Sequence, residues 1–512
     1  MICDSAPVDI GSRLELFVDD CLIDEMRGVD LRLQCPQPAE TVLTFDKSWE
    51  GPFTGSLTVL KDGGKYRLYY FGFPMWPTLK HLRCLCMAES DDGVHFTRPH
   101  IGLHERDGSR ANNIVYPIEP ETKRYILMPF LDTRPGVPPE ERYKGVGGNY
   151  HGGGLFGWTS PDGIHWQRLA DRSITDLGPL DSENVAFWSK HEGCYVCYFR
   201  TWYKRNAAGQ RGILQRTPDG QDWHVKGVDE NGKPWTLPLD GGFENDGIRW
   251  VSRSTSPDFR HWSESVEMDA GDAPDEHIYT CLPYPYFRAP HIYIAPGARF
   301  VRDRKVLSDS SADAMDLLPQ FLDKSTDAVL MSSRGGAALD RTFLESWIRP
   351  GMEPEDWIYG SNFPSGVVQT GPAELSLYVN MHFTRPSVHA RRYTLRLDGF
   401  ASVHAWHTGG EMTTKPLRFE GDRLVLNYST SAAGSIRVGL EDEAGVPIPG
   451  HTLADGIELV GNTVAGEVSW RNGPDVAPLT GKTIRLRFAM QDADIFSYRF
   501  APALRGERAY TR

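Results

Sequence analysis

Four acidic side chains stand where they could share one catalytic pit. Glu50, Asp181, Glu183 and Glu276 each come shortly before an apolar stretch that is predicted to be the first strand of a repeated β unit. When such units surround an axis, the starts of their first strands meet at one end. Two carboxylates placed there can cleave a glycosidic bond, because one protonates the leaving oxygen while the other attacks carbon or activates water.

Polar and aromatic side chains beside the same strand starts are the candidate substrate-binding residues. They are Trp49, Asn113, Asn184, Arg200, His277, Asn362 and Asp20. The cluster Asp275-Glu276-His277 has the most site-like composition, so one hypothesis makes Glu276 the acid with Asp181 or Glu50 opposite it. The competing interpretation is that each carboxylate caps a turn or pairs with an arginine. For Asp20, a role in tying the N-terminal strand to the last unit is favoured.

A recurring hairpin predicts the elements that must position these residues. An apolar strand, a polar turn and a Tyr-rich strand recur, with first strands starting near residues 57, 114, 185, 278 and 367. A second motif, Ser-x-Asp-Gly or similar followed by His and an aromatic, recurs at Asp92, Asp162 and Asp258, where its histidines are interpreted as structural. The sequence therefore predicts an all-β chain, with a five-bladed β-propeller over residues 1–407 and a C-terminal β-sandwich over 408–512.

Composition narrows the class of partner. The 512 residues carry a net charge of −13 and no basic cluster, so no nucleic-acid partner is expected, whereas 11% aromatic residues suit a carbohydrate substrate. No apolar run is long enough to span a membrane. The eight cysteines are expected to be reduced and mostly buried, with a cytoplasmic location as written, or a secreted or periplasmic one if a leader has been removed. We expect a monomer or a small homo-oligomer.

No metal site or cofactor is predicted, since the sequence contains neither an HExxH motif nor cysteines and histidines at zinc-binding spacing. Structural calcium in the tunnel of the propeller is compatible with the sequence. The glycine-rich stretch around Tyr150 has no Lys-Ser/Thr sequel, so it is interpreted as a rim loop.

The chain resembles the arabinanase, levansucrase and invertase group of five-bladed glycoside hydrolases. More closely, four segments resemble largely uncharacterised bacterial proteins described as family 32-like: 16–20 (LFVDD), 198–200 (YFR), 276–280 (EHIYT) and 393–400 (YTLRLDGF). The resemblance implies a base or nucleophile on the first blade, a helper carboxylate on the second and an acid on the third. By position these are Glu50, then Asn113, then Asp181 or Glu183.

The departures from that family leave three functions open. The Trp-Met-Asn-Asp-Pro-Asn-Gly, Arg-Asp-Pro and Glu-Cys motifs of family 32 invertases are absent, and Asn113 stands where a carboxylate would be. The first interpretation is a glycoside hydrolase, supported by the acidic residues. The second is a carbohydrate-binding propeller without catalysis, supported by the missing motifs. The third is a protein-interaction scaffold, which predicts large exposed apolar patches.

Overall fold

The computed structural model describes residues 7–74, 83–117, 126–148, 154–169, 172–217, 222–239 and 247–502. It divides into two compact units. The larger unit comprises residues 36–370 and 376–394, and the smaller one comprises residues 1–35, 371–375 and 395–512. The division differs from a boundary at residue 407, because the N-terminal strands pair with C-terminal ones and so belong to the smaller unit.

Five sheets make up the described part of the larger unit. Sheet 1 contains Gly55–Asp62, Lys65–Gly72, Cys84–Ser90 and Ile114–Pro117. Sheet 2 contains Ile126–Leu131, Tyr143–Gly148, Leu155–Ser160 and Gln167–Arg168. Sheet 3 contains Val185–Ser189, Cys194–Arg205, Arg211–Arg216, Trp223–Val228, Pro234–Pro238, Ile248–Ser256 and Val266–Glu267. Sheet 4 contains His277–Cys281, Tyr284–Tyr286, Ala289–Arg302 and Lys324–Ser333. Sheet 5 contains Phe363–Gly371, Glu374–Met381, His389–Arg396 and, from the N-terminal side, Gln37–Thr44.

The arrangement is propeller-like and nearly all-β. Four sheets, not five, have the four strands expected of a blade, because a three-stranded ribbon extends sheet 3 to seven strands. One α-helix, Asp309–Ala314, and four short 3-10 helices, Pro139–Glu141, Pro319–Phe321, Pro354–Trp357 and Ala477–Leu479, complete the described elements. One predicted first strand is wrong. Ile114–Pro117 pairs with Cys84–Ser90 at the far edge of sheet 1, and sheet 2 begins at Ile126.

Hydroxyl groups link each sheet to the next. The bonds are Tyr143 to Asp62, Tyr195 to Asp132 at 2.6 Å, Tyr293 to Ser189 at 2.5 Å, Thr326 to the carbonyl of Ser361 at 2.6 Å, and Tyr66 to the carbonyl of Gln369 at 2.5 Å. A tyrosine hydroxyl beside a strand can reach the neighbouring sheet while its ring stays in the apolar layer between them. The recurring Tyr-rich strands therefore join successive sheets.

The recurring turn motif also takes part in contacts between neighbouring sheets. In the copies at Asp92, Asp162 and Asp258, the aspartate accepts two backbone N–H bonds and contacts a histidine Nδ1 at 2.7 Å. Two of these turns also present a glycine carbonyl to a tyrosine of the neighbouring sheet. The histidines are thus parts of turns, as the sequence indicated. The sequence contains a further similar turn motif at 217–223 (TPDGQDW), of which residues 218–221 lie outside the described residues.

The smaller unit is built on one hydrogen-bonded network of ten strands. They are Val8–Gly11, Glu15–Leu16, Ile23–Arg27, Val29–Leu33, Ala401–Ala405, Gly410–Thr414, Leu417–Phe419, Arg423–Asp442, Asn462–Glu467 and Ile484–Ala501. The two longest, Arg423–Asp442 and Ile484–Ala501, pair along most of their length and pack on a core that includes Trp470 and Phe488. The predicted β-sandwich stays a prediction, since these strands are connected in a single sheet.

No described helix has the length and apolar character needed to cross a bilayer. No disulfide joins any two of the seven described cysteines, and four of the seven are buried. Cys3 and the core of the glycine-rich loop around Tyr150 lie outside the described residues.

Candidate functional site

A pocket of about 650 Å³ opens in the larger unit. Every one of the five sheets contributes to it from its first strand or from the residues just before that strand. These residues are Gly55, Ser56, Ile126, Asp181, Ser182, Glu183, Tyr279 and Phe363. The strand starts therefore converge at one place, which is the arrangement that ring-forming sheets impose.

Aromatic rings form much of the pocket wall. They are Phe53, Phe71, Phe73, Trp202, Tyr279, Phe300, Phe321, Tyr359, Phe363 and Phe383. Phe321 and Tyr359 are stacked, with centroids 5.5 Å apart and planes 7° from parallel. Tyr359 in turn meets Tyr279 edge to face at 5.5 Å. Such a mainly aromatic wall with a few polar groups is typical of a pocket for a small organic ligand.

Glu183 is the buried carboxyl of the pocket. It is 7% exposed, and its Oε2 has no hydrogen-bond partner within the described part of the chain. Burial raises the pKa of Glu183 to about 7, against the opposing influence of the Ser56 and Thr280 hydroxyls and of Arg200. A carboxyl with such a pKa carries a proton through much of the neutral range, so it can serve as a general acid.

Asp181 is the second carboxylate of the pocket, and it is paired. Its Oδ1 accepts a hydrogen bond from Nη2 of Arg200, a residue that also donates to the carbonyl of Pro179 at 2.7 Å. About one third of the Asp181 side chain is exposed, so the carboxylate is accessible from the pocket despite the ion pair. Within the described residues, Asp181 and Glu183 are the only acidic side chains that line the pocket.

Asn184 fixes the segment that carries both acids. Its Nδ2 donates to the carbonyls of Leu180 and Ser182 at 2.9 and 2.8 Å, and its Oδ1 accepts from the backbone N–H of Arg200 at 3.2 Å. The side chain is fully buried and does not line the pocket. Asn184 thus holds the loop against sheet 3 without lining the pocket itself.

Glu50 and Glu276, the other predicted catalytic residues, do not line the pocket. Glu50 is fully buried and receives both Nε and Nη2 of Arg98 at 2.8 Å, together with the hydroxyl of Tyr70. Glu276 is held between Arg299, at 2.8 Å, and Arg341. Both carboxylates therefore pair with arginines, which is the alternative to a catalytic role that the sequence leaves open for them.

Trp49 and Asn113 also lie away from the pocket lining. The indole Nε1 of Trp49 donates to Oδ1 of Asn113 at 2.9 Å, and Nδ2 of Asn113 donates to the hydroxyl of Tyr70 and to the carbonyl of Met87. Because Ile114–Pro117 is the outer strand of sheet 1, Asn113 does not open a first strand. The pair belongs to the same buried network as Glu50.

The remaining predicted residues occupy different surroundings. His277 accepts the backbone N–H of Arg249 on its Nδ1 at 3.1 Å, and burial with the charges of Arg302 and Arg249 lowers its pKa to about 4. Asn362 is buried at a φ of +64° and donates to the carbonyls of Thr326 and Asp356. Asp20 is exposed and belongs to the smaller unit. Of the predicted binding residues, only Arg200 lines the pocket.

Arg249, Phe321 and Lys324 line the pocket but were not singled out as site residues from the sequence. Arg249 and Trp202 lie directly opposite each other on neighbouring strands of sheet 3. Phe321 and Lys324 come from segment 303–327, whose polar composition predicts an exposed insertion. The apolar residues Leu317, Leu318, Phe321 and Leu322 around Pro319 were the available signal, because an apolar cluster inside a polar segment indicates a part that packs on the fold.

No group of three or more His, Cys, Asp or Glu side chains that could hold a metal ion occurs among the described residues. Comparison with known proteins finds no matching family model and no matching curated sequence. The relation to family 32 therefore stays a prediction.

Solved structures with partial likeness to the chain include three carbohydrate-active proteins. An N-acetylgalactosamine deacetylase from F. plautii, in complex with blood group B trisaccharide, is 11% identical, covers 72% of this chain and 96% of its own, and has a TM-score of 0.40. A glycosyl hydrolase from Bacteroides ovatus is 14% identical over 77% of this chain and 95% of its own, with a TM-score of 0.35. A GH130-family protein comes from work on glycoside hydrolases that target β-1,2 mannosidic linkages in Candida mannan. It is 14% identical, covers 71% of this chain and 93% of its own, and has a TM-score of 0.36. Because these TM-scores are low, the function proposed below rests on the pocket residues.

Proposed function

We propose that the chain is a glycoside hydrolase that cleaves an oligo- or polysaccharide in this pocket, with Glu183 as the general acid and Asp181 as the second carboxylate. The observation that carries the proposal is a buried carboxyl with a pKa of about 7 beside a second, arginine-paired carboxylate in an aromatic-lined pocket. Glu183 would protonate the leaving oxygen, and Asp181 would attack the anomeric carbon or activate water. Neither step requires a cofactor.

A second proposal concerns the fold and goes beyond the number of sheets. We propose that the five sheets are five blades of one propeller, of which the third carries an added ribbon, and that the smaller unit is a β-sandwich. The hydroxyl bonds from sheet to sheet, including the one from Tyr66 of sheet 1 to Gln369 of sheet 5, support a closed ring. A closed ring would place the pocket at its axis and leave no sheet edge along the circumference.

The test is turnover of a substrate panel by three proteins. Wild type, Glu183→Gln and Glu264→Gln would be assayed on aryl glycosides and on plant and algal oligosaccharides. Glu264 is exposed and does not line the pocket, so its substitution is the matched control. We expect Glu183→Gln to lose at least about 100-fold in kcat/KM on the cleaved substrate, as loss of a general acid does. Unchanged turnover in that variant would exclude Glu183 as the acid.

The second candidate is carbohydrate binding without hydrolysis. The ion pair of Asp181 with Arg200 favours it, because a carboxylate committed to an arginine is a weaker nucleophile and base. This candidate predicts calorimetric binding of an oligosaccharide from the panel, with no product formed from it by wild type. Product formation that disappears in Glu183→Gln would exclude it.

A further inference from the structure

The pocket contains one buried cation without a counter-charge. Arg249 lines the pocket and is 8% exposed, and both its Nε and its Nη1 are buried with no hydrogen-bond partner within the described part of the chain. A buried guanidinium whose N–H groups are unsatisfied is costly, since its hydration is lost without replacement. Its presence therefore needs a reason that the folded chain alone does not supply.

Arg249 differs in this respect from the other buried arginines of the larger unit. Four more are buried among its described residues, and each has a carboxylate partner: Arg200 with Asp181, Arg253 with Glu192, Arg341 with Glu276, and Arg392 with Glu40. Even Arg200, which also lines the pocket, has a carboxylate partner. Arg249 is therefore the exception among the described buried arginines of this unit.

Aromatic faces hold the guanidinium in place. Its Cζ lies 4.2 Å from the ring centroid of Trp202, 4.5 Å from that of Phe300 and 5.2 Å from that of Tyr279. Cation–π contacts of this kind stabilise the charge but provide no hydrogen-bond acceptor for Nε and Nη1. Guanidinium N–H groups without an acceptor can bind a planar anion in two places.

The surrounding charges do not neutralise Arg249. Asp181 forms an ion pair with Arg200, and Glu183, with a pKa of about 7, is negatively charged in only about half of the molecules at pH 7. Burial lowers the pKa of Arg249, and the positive charges of Arg200 and Arg302 add to that effect. His277, which contacts the Arg249 backbone, has a pKa of about 4 and is therefore uncharged at neutral pH. The pocket around Arg249 is electropositive.

We infer that Arg249 binds the anionic group of an acidic sugar unit, so that the substrate supplies the missing counter-ion. A carboxylate, as in a uronic acid, or a sulfate ester would fit the same edge. This inference rests on the proposed carbohydrate function of the pocket and adds to it the class of sugar. It also explains how a chain of net charge −13 attracts an acidic substrate, because the described residues that line the pocket include four basic side chains and two acidic ones.

The test is binding, which does not depend on turnover. Calorimetry on the full chain would compare D-glucuronate and D-galacturonate with D-glucose and D-galactose, and galactose 6-sulfate would serve as the sulfate arm. We expect wild type to bind at least one anionic sugar about 10-fold or more tightly than its neutral counterpart, and the preferred arm identifies carboxylate or sulfate. Equal affinity for charged and neutral sugars, or no binding of any anionic sugar, would overturn the inference.

Two substitutions and one control locate the effect. Arg249→Gln should abolish the preference for the anionic sugar, and Arg249→Lys should retain part of it. Arg349→Gln, at an exposed position outside the pocket lining, should leave it unchanged. Without ligand, Arg249→Gln should melt no lower than wild type, because it removes an uncompensated charge. A preference that survives in a folded Arg249→Gln variant would exclude this residue.

The two proposals fail separately. If neutral glycosides are cleaved in a reaction that needs Glu183 but not Arg249, the hydrolase proposal is supported and the acidic-substrate inference is contradicted. If an anionic sugar binds through Arg249 but none of its glycosides is cleaved, the acidic-ligand inference is supported and the hydrolase proposal is contradicted.

Discussion

Asp181 and Glu183 lie two residues apart before the first strand of sheet 3, yet only Asp181 is paired with an arginine. Asp181 forms an ion pair with Arg200, whereas burial favours the protonated form of Glu183. One short loop thus carries a candidate acid and an ion-paired carboxylate, the two groups that glycosidic cleavage requires.

The pH dependence of turnover should report Glu183. A general acid works in its protonated form, so kcat/KM should fall as the pH rises through about 7, the pKa of Glu183. The measurement is kcat/KM of wild type from pH 5 to 9 on any substrate that it cleaves, with Glu264→Gln as the control. A rate that is flat or still rising between pH 7 and 9 would contradict the assignment of the acid.

The pH dependence of stability gives a second readout of the same group. The folded-state pKa of Glu183 is raised from its ordinary value of 4.5 to about 7, so its stabilising contribution is complete below pH 4.5 and is lost as the pH rises toward 7. Glu183→Gln carries no titrating group there. Its free energy of unfolding relative to wild type should therefore increase by about 3 kcal/mol between pH 4.5 and pH 8.

Urea denaturation at both pH values would measure this difference. Glu264→Gln, which changes an exposed glutamate, should track wild type at every pH. A constant offset between Glu183→Gln and wild type across the range would show that Glu183 does not titrate in this window.

Glu276 should matter for stability and not for chemistry. Glu276→Gln removes the carboxylate that pairs Arg299 and Arg341, and the Arg341 side chain is only 2% exposed. We expect a loss of about 1 to 3 kcal/mol in unfolding free energy, because a largely buried arginine is left without its counter-charge. The kcat of the folded variant should stay within about 2-fold of wild type. A 100-fold loss of kcat with normal stability would contradict this prediction and indicate a catalytic role for Glu276.

The sequence predicted where most first strands begin, but it did not predict which side chains pair with the acidic residues before them. Residues just before Val185 were predicted to reach a shared pit, and Asp181 and Glu183 line the pocket. Glu50 and Glu276 occupy equivalent positions in the chain but are held by Arg98, Arg299 and Arg341. The identity of a partner so distant in sequence cannot be deduced from spacing, because strand register and sheet packing decide it.

Arg249 illustrates the same limit. It lies inside a strand of ordinary β composition. Its distinction comes from Trp202 on the neighbouring strand and from the lack of a hydrogen-bond partner for its Nε and Nη1 among the described residues. Ile114–Pro117 was assigned to the wrong sheet because a β-branched stretch followed by a Tyr-containing strand is compatible with an outer strand as well as with a hairpin. Apolar periodicity predicts that a strand exists, and it does not predict which edge the strand occupies.

Asn184 should control the position of both acids. Asn184→Asp keeps an acceptor for the backbone of Arg200 but loses the N–H donors to Leu180 and Ser182, and it adds a negative charge next to Glu183. We expect a lower melting temperature and a kcat reduced by at least about 10-fold, because the loop that holds the acids loosens. The added charge should also raise the pKa of Glu183 and move the alkaline limb of the pH profile upward.

Asn184→Ala separates the two effects. It loses the same hydrogen bonds and adds no charge, so kcat and melting temperature should fall as in Asn184→Asp while the alkaline limb does not move upward. A merely structural asparagine would lower stability in both variants without any difference between their pH profiles. The difference in the pH of half-maximal kcat/KM between the two variants therefore measures the electrostatic coupling of position 184 to the acid.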